Sequence, residues 1–249
     1  MKKILLKLSG ESLGKSSVDL KSLERVVGEI ASTSKIVSLA IVIGGGNIWR
    51  WRDNKHLASL PRVESDFLGM VATVFNAVVL AAALRKLKIR VKVFSVVAVP
   101  IELAEKYSPV TAHKFLEKGG VIILAGGTGK PFVTTDSGAA MRAAELKCDL
   151  VVKATNVDGI FDKDPRKSGN AKLLKEVDYK TAIREKLGVM DLKAFRILAK
   201  NRIPTRIFNF KKKGLLKKAV ECKNVGSLIS IKGIFLDFSN LQIRNSRKQ

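Results

Sequence analysis

Residues 38–47 read Ser-Leu-Ala-Ile-Val-Ile-Gly-Gly-Gly-Asn: an unbroken apolar run, Ser38–Ile43, that stops at Gly44, Gly45 and Gly46. The pattern recurs at Val121–Ala125 (VIILA), which stops at Gly126-Gly127-Thr128-Gly129, and at residues 4–8, which stop at Ser9-Gly10. Continuous aliphatic strands, rather than alternating ones, belong to parallel sheets covered on both faces. Residues 90–97, 150–154 and 206–210 read as further strands. Between them, helical spacing or capping residues predict helices over 20–31, 65–88, 111–118, 136–147, 191–201 and 214–220, with Asp136 or Ser137 capping the fourth and Asp191 the fifth. Strands alternating with helices give an α/β fold built on an open, mostly parallel sheet.

The chain has 249 residues, of which 46% are hydrophobic, enough for a sizeable core and too many for a disordered chain. Lys and Arg number 46 against 22 Asp and Glu, a formal net charge of +24 that favours anionic partners. Residues 205–249 hold eleven Lys and Arg against Glu221 and Asp237, leaving +9. No nucleic-acid-binding motif accompanies these charges, so they read as a solvated basic surface. Cys148 and Cys222 make no disulfide framework, which fits a reducing, cytoplasmic setting, and with His56 and His113 they form no zinc-ligand spacing. Lys7 cuts the N-terminal apolar stretch too short for a signal peptide. Residues 67–84 carry no charge and match a minimal membrane span in length. Gly69, Thr73 and Asn76 interrupt them, however, and they stand alone, so a helix in the core or at a subunit contact is expected.

Glycine-rich turns at the carboxyl edge of a parallel sheet let backbone N–H groups approach an anion. Three such turns in one sheet point to a phosphate site. It is not a P-loop: in Gly10-Glu11-Ser12-Leu13-Gly14-Lys15-Ser16, three residues rather than four separate the glycines. Nor is there a G-x-G-x-x-G fingerprint. Lys7, near the end of its apolar strand, is costly to bury without a partner; a phosphate at the sheet edge would serve, or the side chain snorkels from an edge strand. Arg50 follows the triple glycine by four residues and is able to fork onto a phosphoryl group. Asp158, Asp162 and Asp164 share a turn that lacks the ligand order of an EF-hand.

These stretches resemble the amino acid kinase family, and within it the bacterial-type uridylate (UMP) kinases. The matching segments are KLSGES (7–12), VIGGGNIWR (42–50), DFLGMVATVFNA (66–77), GGTGKPFVTTDSGAAMRAAE (126–145), VVKATNVDGIFDKDP (151–165) and GVMDLKAF (188–195), in the family's order. The resemblance implies a three-layer α/β sandwich over residues 1–232, with UMP bound mainly by 1–150 and ATP by 151–232, and a basic extension at 233–249. It implies transfer of the γ-phosphoryl group of ATP to UMP, with Mg2+ carried by ATP. Lys7, Arg50, Asp136 and Asp191 are the implied catalytic residues. Gly45, Asp66, Thr128, Gly129, Thr134 and Thr135 would bind UMP. Lys7, Ser9, Gly10, Gly46, Arg50, Thr155, Phe161 and Asp164 would bind ATP. The resemblance further implies a cytoplasmic homohexamer under UTP feedback, without membrane or specific nucleic-acid partners. Two alternatives share parts of this reading: a carboxylate or carbamate kinase of the same superfamily, and a basic nucleic-acid binder that has kept the scaffold. Two departures stand out: a short segment between Leu13 and Leu20, which argues against GTP activation, and Trp51 where the family usually has Gly.

Overall fold

The computed structural model describes residues 1–53, 60–163, 165, 168–221, 223–231, 234–237 and 242–245, the last two segments by backbone alone. Asp164, His56 and Cys222 lie outside the described residues. In chain order the elements are β1 (Lys3–Leu8), α1 (Leu20–Thr33), β2 (Ser38–Ile43), α2 (Arg62–Lys86), β3 (Val91–Ser95), β4 (Glu105–Lys106), α3 (Pro109–Glu117), β5 (Val121–Ala125), α4 (Thr135–Glu145) and β6 (Leu150–Thr155). Then come β7 (Ile160–Phe161), β8 (Leu173–Leu174), β9 (Glu176–Asp178), α5 (Tyr179–Arg184), α6 (Leu192–Lys200), β10 (Thr205–Asn209), α7 (Leu215–Val220), β11 (Ser227–Ser230), β12 (Ile234–Asp237) and β13 (Gln242–Asn245).

Nine strands form one sheet in the order β4–β3–β5–β2–β1–β6–β10–β11–β9. Every pairing from β4 to β10 is parallel, so the glycine turns after β1, β2 and β5 all emerge at the same edge. The exception is β11, antiparallel to β10, with β9 parallel to β11 beyond it. β1 is the centre of the sheet and its side chains alternate: Ile4, Leu6 and Leu8 join the core under α1, α2 and α7, while Leu5 joins the core under α3, α4, α5 and α6. Helices thus cover both faces, giving the three-layer sandwich. Lys7 shares the face of Leu5. It sits on a central strand, so the edge-strand snorkelling alternative does not hold.

α2 explains its own polar interruptions. The buried Asn76 amide donates to Gly44 O (2.8 Å) and to Asn47 Oδ1 (2.7 Å), and Asn47 donates back to Asn76 Oδ1 (3.2 Å). One turn earlier, Thr73 Oγ1 accepts from Gly126 N–H (2.7 Å) and donates to Met70 O (2.6 Å). These side chains fasten the second and third glycine turns to one helix. By length and composition α2 is long and apolar enough to cross a membrane, yet half of its most apolar window is buried inside the fold. Its other side leaves Phe67, Leu68, Val71 and Phe75 exposed, the last two by more than half.

The capping expectation for α4 needs correction. Thr134 is the cap: its backbone is extended and its Oγ1 accepts from Ser137 N–H (3.0 Å). Asp136 therefore falls inside the first turn, which frees its carboxylate for another partner. Asp191 caps α6 as expected, accepting from Ala194 N–H (2.9 Å).

Removing the Asn76 amide strands two buried acceptors, and a buried group left unsatisfied costs about 1–3 kcal/mol. We expect Asn76→Leu to lower unfolding stability by about 2–4 kcal/mol, read from the urea midpoint, with an unchanged denaturant slope.

Candidate active site

Parallel register places Lys7 of β1 directly beside Lys153 of β6. Both side chains are nearly buried and both reach one carboxylate. Lys7 Nζ lies 2.9 Å from Asp136 Oδ1, an ion pair that lacks the alignment of a hydrogen bond. Lys153 Nζ pairs with Asp136 Oδ2 and also donates to Val189 O. Burial pushes the Asp136 carboxyl up, but the charges of Lys7 and Lys153 outweigh it and hold the group below its ordinary value. Burial, reinforced by the Lys7 charge, pushes the Lys153 ammonium below its ordinary value, against the pull of Asp136 and Asp191. One carboxylate serving two ammonium groups leaves a net positive site at the sheet edge.

Lys153 was not singled out by its sequence, although it interrupts the apolar strand LVVKAT much as Lys7 interrupts KILLKL. The cost of burying an unpaired lysine is the signal that marks both.

A cavity of about 590 Å³ opens in front of Lys7. It gathers Lys7, Ser9, Gly10, Gly45, Gly46, Arg50, Asp66, Thr128, Thr134 and Thr135 of the expected site. Gly45 is required there by space: a Cβ would stand 2.6 Å from Gly69 O and 2.7 Å from Ala72 Cβ, both in α2. At Gly10 a Cβ would stand 2.8 Å from Gly46 N and 2.9 Å from Asn47 N, so the first two glycine turns pack backbone to backbone. Arg50 pairs with Glu11 across these turns, a partner not anticipated. Asp66 accepts from Arg62 Nε at Oδ1 (2.9 Å) and from Phe132 N–H at Oδ2 (2.7 Å).

Asp191 stands behind the cavity. It accepts from Thr134 Oγ1 (2.5 Å) and Ser137 Oγ (2.8 Å), which ties the start of α4 to the start of α6. Its contacts are thus to hydroxyls and backbone, and it acts on Lys153 through its charge alone. Gly129 adopts φ 73° in the third turn, beside rather than in the cavity lining.

The expected ATP-side residues are dispersed. Ser9 and Thr155 line a second cavity of about 780 Å³, with Arg25 and Phe210. Thr155 Oγ1 is engaged within the fold: its single proton faces Val157 O (2.7 Å), with Phe208 O also in reach (3.1 Å), and it accepts from Val157 N–H (3.3 Å). Phe161 is half-buried in β7 and lines neither cavity.

A sheet edge lined by glycine turns, Lys7 and Arg50, with Lys153 buried beside Lys7, is built to hold phosphoryl groups. A sequence profile of the amino acid kinase family matches residues 2–209. The chain belongs to the amino acid kinase family. This kinase is 42% identical over 225 residues to the uridylate kinase of Rickettsia bellii, covering 88% of this chain and 93% of that one. It is 40% identical over 232 residues to the chloroplastic uridylate kinase PUMPKIN of Arabidopsis thaliana, covering 92% of this chain and 68% of that one. Among solved structures, the UMP kinase from Bacillus anthracis superposes with a TM-score of 0.89 at 33% identity, covering 93% of this chain and 96% of that one. The UMP kinase from Ureaplasma parvum gives 0.86 at 33% identity, with 92% and 98% covered.

A carboxyl whose folded pKa lies below its unfolded value, near 3.8 for Asp136, adds stability above that value and loses it as pH falls through the depressed one. Asp136→Asn is therefore expected to destabilise the fold by about 3–5 kcal/mol at neutral pH, since it leaves two buried ammonium groups unpaired. The gap to wild type narrows once the pH drops below about 3.8. Urea unfolding at neutral and acidic pH measures both.

Proposed function

We infer that this kinase is a UMP kinase, which moves the γ-phosphoryl group of ATP to UMP and yields UDP and ADP. The observation that carries this reading is the sharing of one cavity by Lys7, Arg50, the glycine turns and Asp66. In the reaction, an oxygen of the UMP phosphate forms a bond to the γ-phosphorus as the bond to the bridging oxygen of ADP breaks. That attacking oxygen is already ionised, so no general base is required. Catalysis then rests on positioning and on positive charge aimed at the phosphoryl oxygens.

The tasks divide among the residues as follows from this reading. Lys7 meets the negative charge on the transferring group, with Asp136 fixing its direction. Lys153, held by the same carboxylate, adds a second buried cation. Arg50 and the N–H groups of Gly45 and Gly46 take phosphoryl oxygens. Asp66 takes the UMP ribose, and Thr128, Gly129, Thr134 and Thr135 form the cradle for UMP. Ser9, Gly10, Thr155, Phe161 and Asp164 serve the ATP side. Asp191 sets the geometry of the α4 start through Thr134 and Ser137. The acceptor half lies within residues 1–150 and the ATP half within 151–232, with 233–249 appended.

Among the described residues no three carboxylate, histidine or cysteine groups lie together. A magnesium ion would arrive on the ATP phosphates; of the nearby carboxylates, Asp136 is engaged by Lys7 and Lys153 and Asp191 by Thr134 and Ser137, so both would act on the phosphates through these partners. When bound, that ion screens charge on the β- and γ-phosphates. The enzyme is proposed to work in the cytoplasm and to answer to UTP, the end product with the same base.

We further propose a homohexamer, in which the exposed α2 stripe is covered by a second copy. Phe67, Val71 and Phe75 recur at helical spacing on one face, beside Leu68.

An ADP-release assay with ATP, Mg2+ and a panel of UMP, CMP, AMP and acetylglutamate should give turnover with UMP, abolished by Lys7→Ala. Turnover with acetylglutamate instead, or with nothing from folded protein, would overturn the reading. Light scattering after size exclusion should show the Phe75→Asp variant as a smaller species than wild type; equal masses would remove the α2 contact.

A further inference from the structure

The mouth of the acceptor cavity holds an arrangement that the catalytic reading leaves unused. Arg62 begins α2 and Asp66 follows one turn later. An exposed i,i+4 ion pair is normally weak and mobile. Here the Arg62 guanidinium lies over two aromatic rings, 5.7 Å from the centre of Trp51 and 6.0 Å from that of Phe132. Both distances are within cation–π range. Phe132 itself adopts φ 62°, a left-handed conformation that is unfavourable for an aromatic residue, and its ring is 66% exposed. In that conformation its N–H donates to Asp66 Oδ2 at 2.7 Å.

The carboxylate is therefore pinned at both oxygens, Oδ1 by Arg62 and Oδ2 by Phe132. A carboxylate offers about four acceptor sites, two per oxygen. With one taken on each, one remains on each, and Asp66 lines the cavity. Two parallel acceptors on a fixed plane match the two neighbouring hydroxyls of a ribose.

We propose that Arg62, clamped by Trp51 and Phe132, is the positioning residue that orients Asp66 toward a vicinal diol, so that the site selects ribonucleotides over 2′-deoxyribonucleotides. The proposal rests on the UMP kinase reading and adds the origin of its sugar selectivity. Trp51 is a departure of this chain from its family, and here it supplies one wall of the clamp. A deoxynucleotide leaves one oriented acceptor desolvated and unmatched, which is how sites built around a hydroxyl reject analogues that lack it.

Steady-state kinetics with UMP and dUMP, on wild type, Arg62→Gln, Arg62→Lys and Trp51→Gly, test this. Wild type should prefer UMP in kcat/KM by at least about 100-fold, short of the roughly 10⁴-fold of a fully enclosed hydroxyl site because the Asp66 carboxylate is partly open to water. Arg62→Gln should raise KM for UMP about tenfold and that for dUMP less than twofold, cutting the preference about tenfold, with kcat changing less than KM. Arg62→Lys keeps charge without the planar fork and should fall between. Trp51→Gly should lower the preference without altering thermal stability. Calorimetric titration of both nucleotides into each protein reads the same differences without turnover. Equal weakening for UMP and dUMP would overturn the proposal, because Arg62 would then act on the phosphate or the fold. An unchanged preference in all variants would overturn it as well. Wild type that binds and turns over neither nucleotide would instead overturn the UMP kinase reading.

Discussion

Two ammonium groups share one carboxylate at the centre of this sheet, and much of the molecule is arranged around that bond. Lys7 and Lys153 are neighbours because β1 and β6 run parallel in register. Neither tolerates burial alone. Asp136 reaches them because Thr134, two residues ahead, takes the capping task of α4. Asp191 then holds Thr134 in place from α6. A sheet register, two helix starts and a charge balance thus converge on one carboxylate, and removing any of them exposes an unpaired ion.

The glycine turns add the second layer. Backbone approaches so closely that side chains are excluded at Gly10, against the second turn, and at Gly45, against α2, and α2 fixes two of the turns through Thr73 and Asn76. The longest apolar segment of the chain therefore works as a brace. Its polar residues face the phosphate edge, and its remaining apolar stripe faces outward, where a second copy of the chain would cover it.

The sequence made the strands, the glycine turns and Lys7 legible, because apolar runs and glycines report local chemistry directly. The sandwich and the shared cavity follow from parallel pairing of those runs. What escaped depends on partners distant in sequence. Lys153 looked like one more lysine in a basic chain until β6 lay beside β1. The α4 cap lies at Thr134 rather than Asp136 or Ser137 because four consecutive residues, Thr134 to Ser137, all suit a helix start, and only Asp136 had lysines to answer. The antiparallel strand β11 and the short β9 gave too little pattern to read, being four and three residues long. The clamp on Arg62 joins residues from three separate stretches, and no spacing announces it.

Asp136, as proposed, makes the site by holding two cations for one phosphoryl group. Turnover of UMP by Asp136→Asn, assayed below its unfolding temperature with saturating ATP and Mg2+, tests this most directly. Loss of aligned charge at a phosphoryl centre predicts a fall in kcat of about 10²–10³-fold. A folded Asp136→Asn protein that keeps kcat within twofold of wild type would contradict the account.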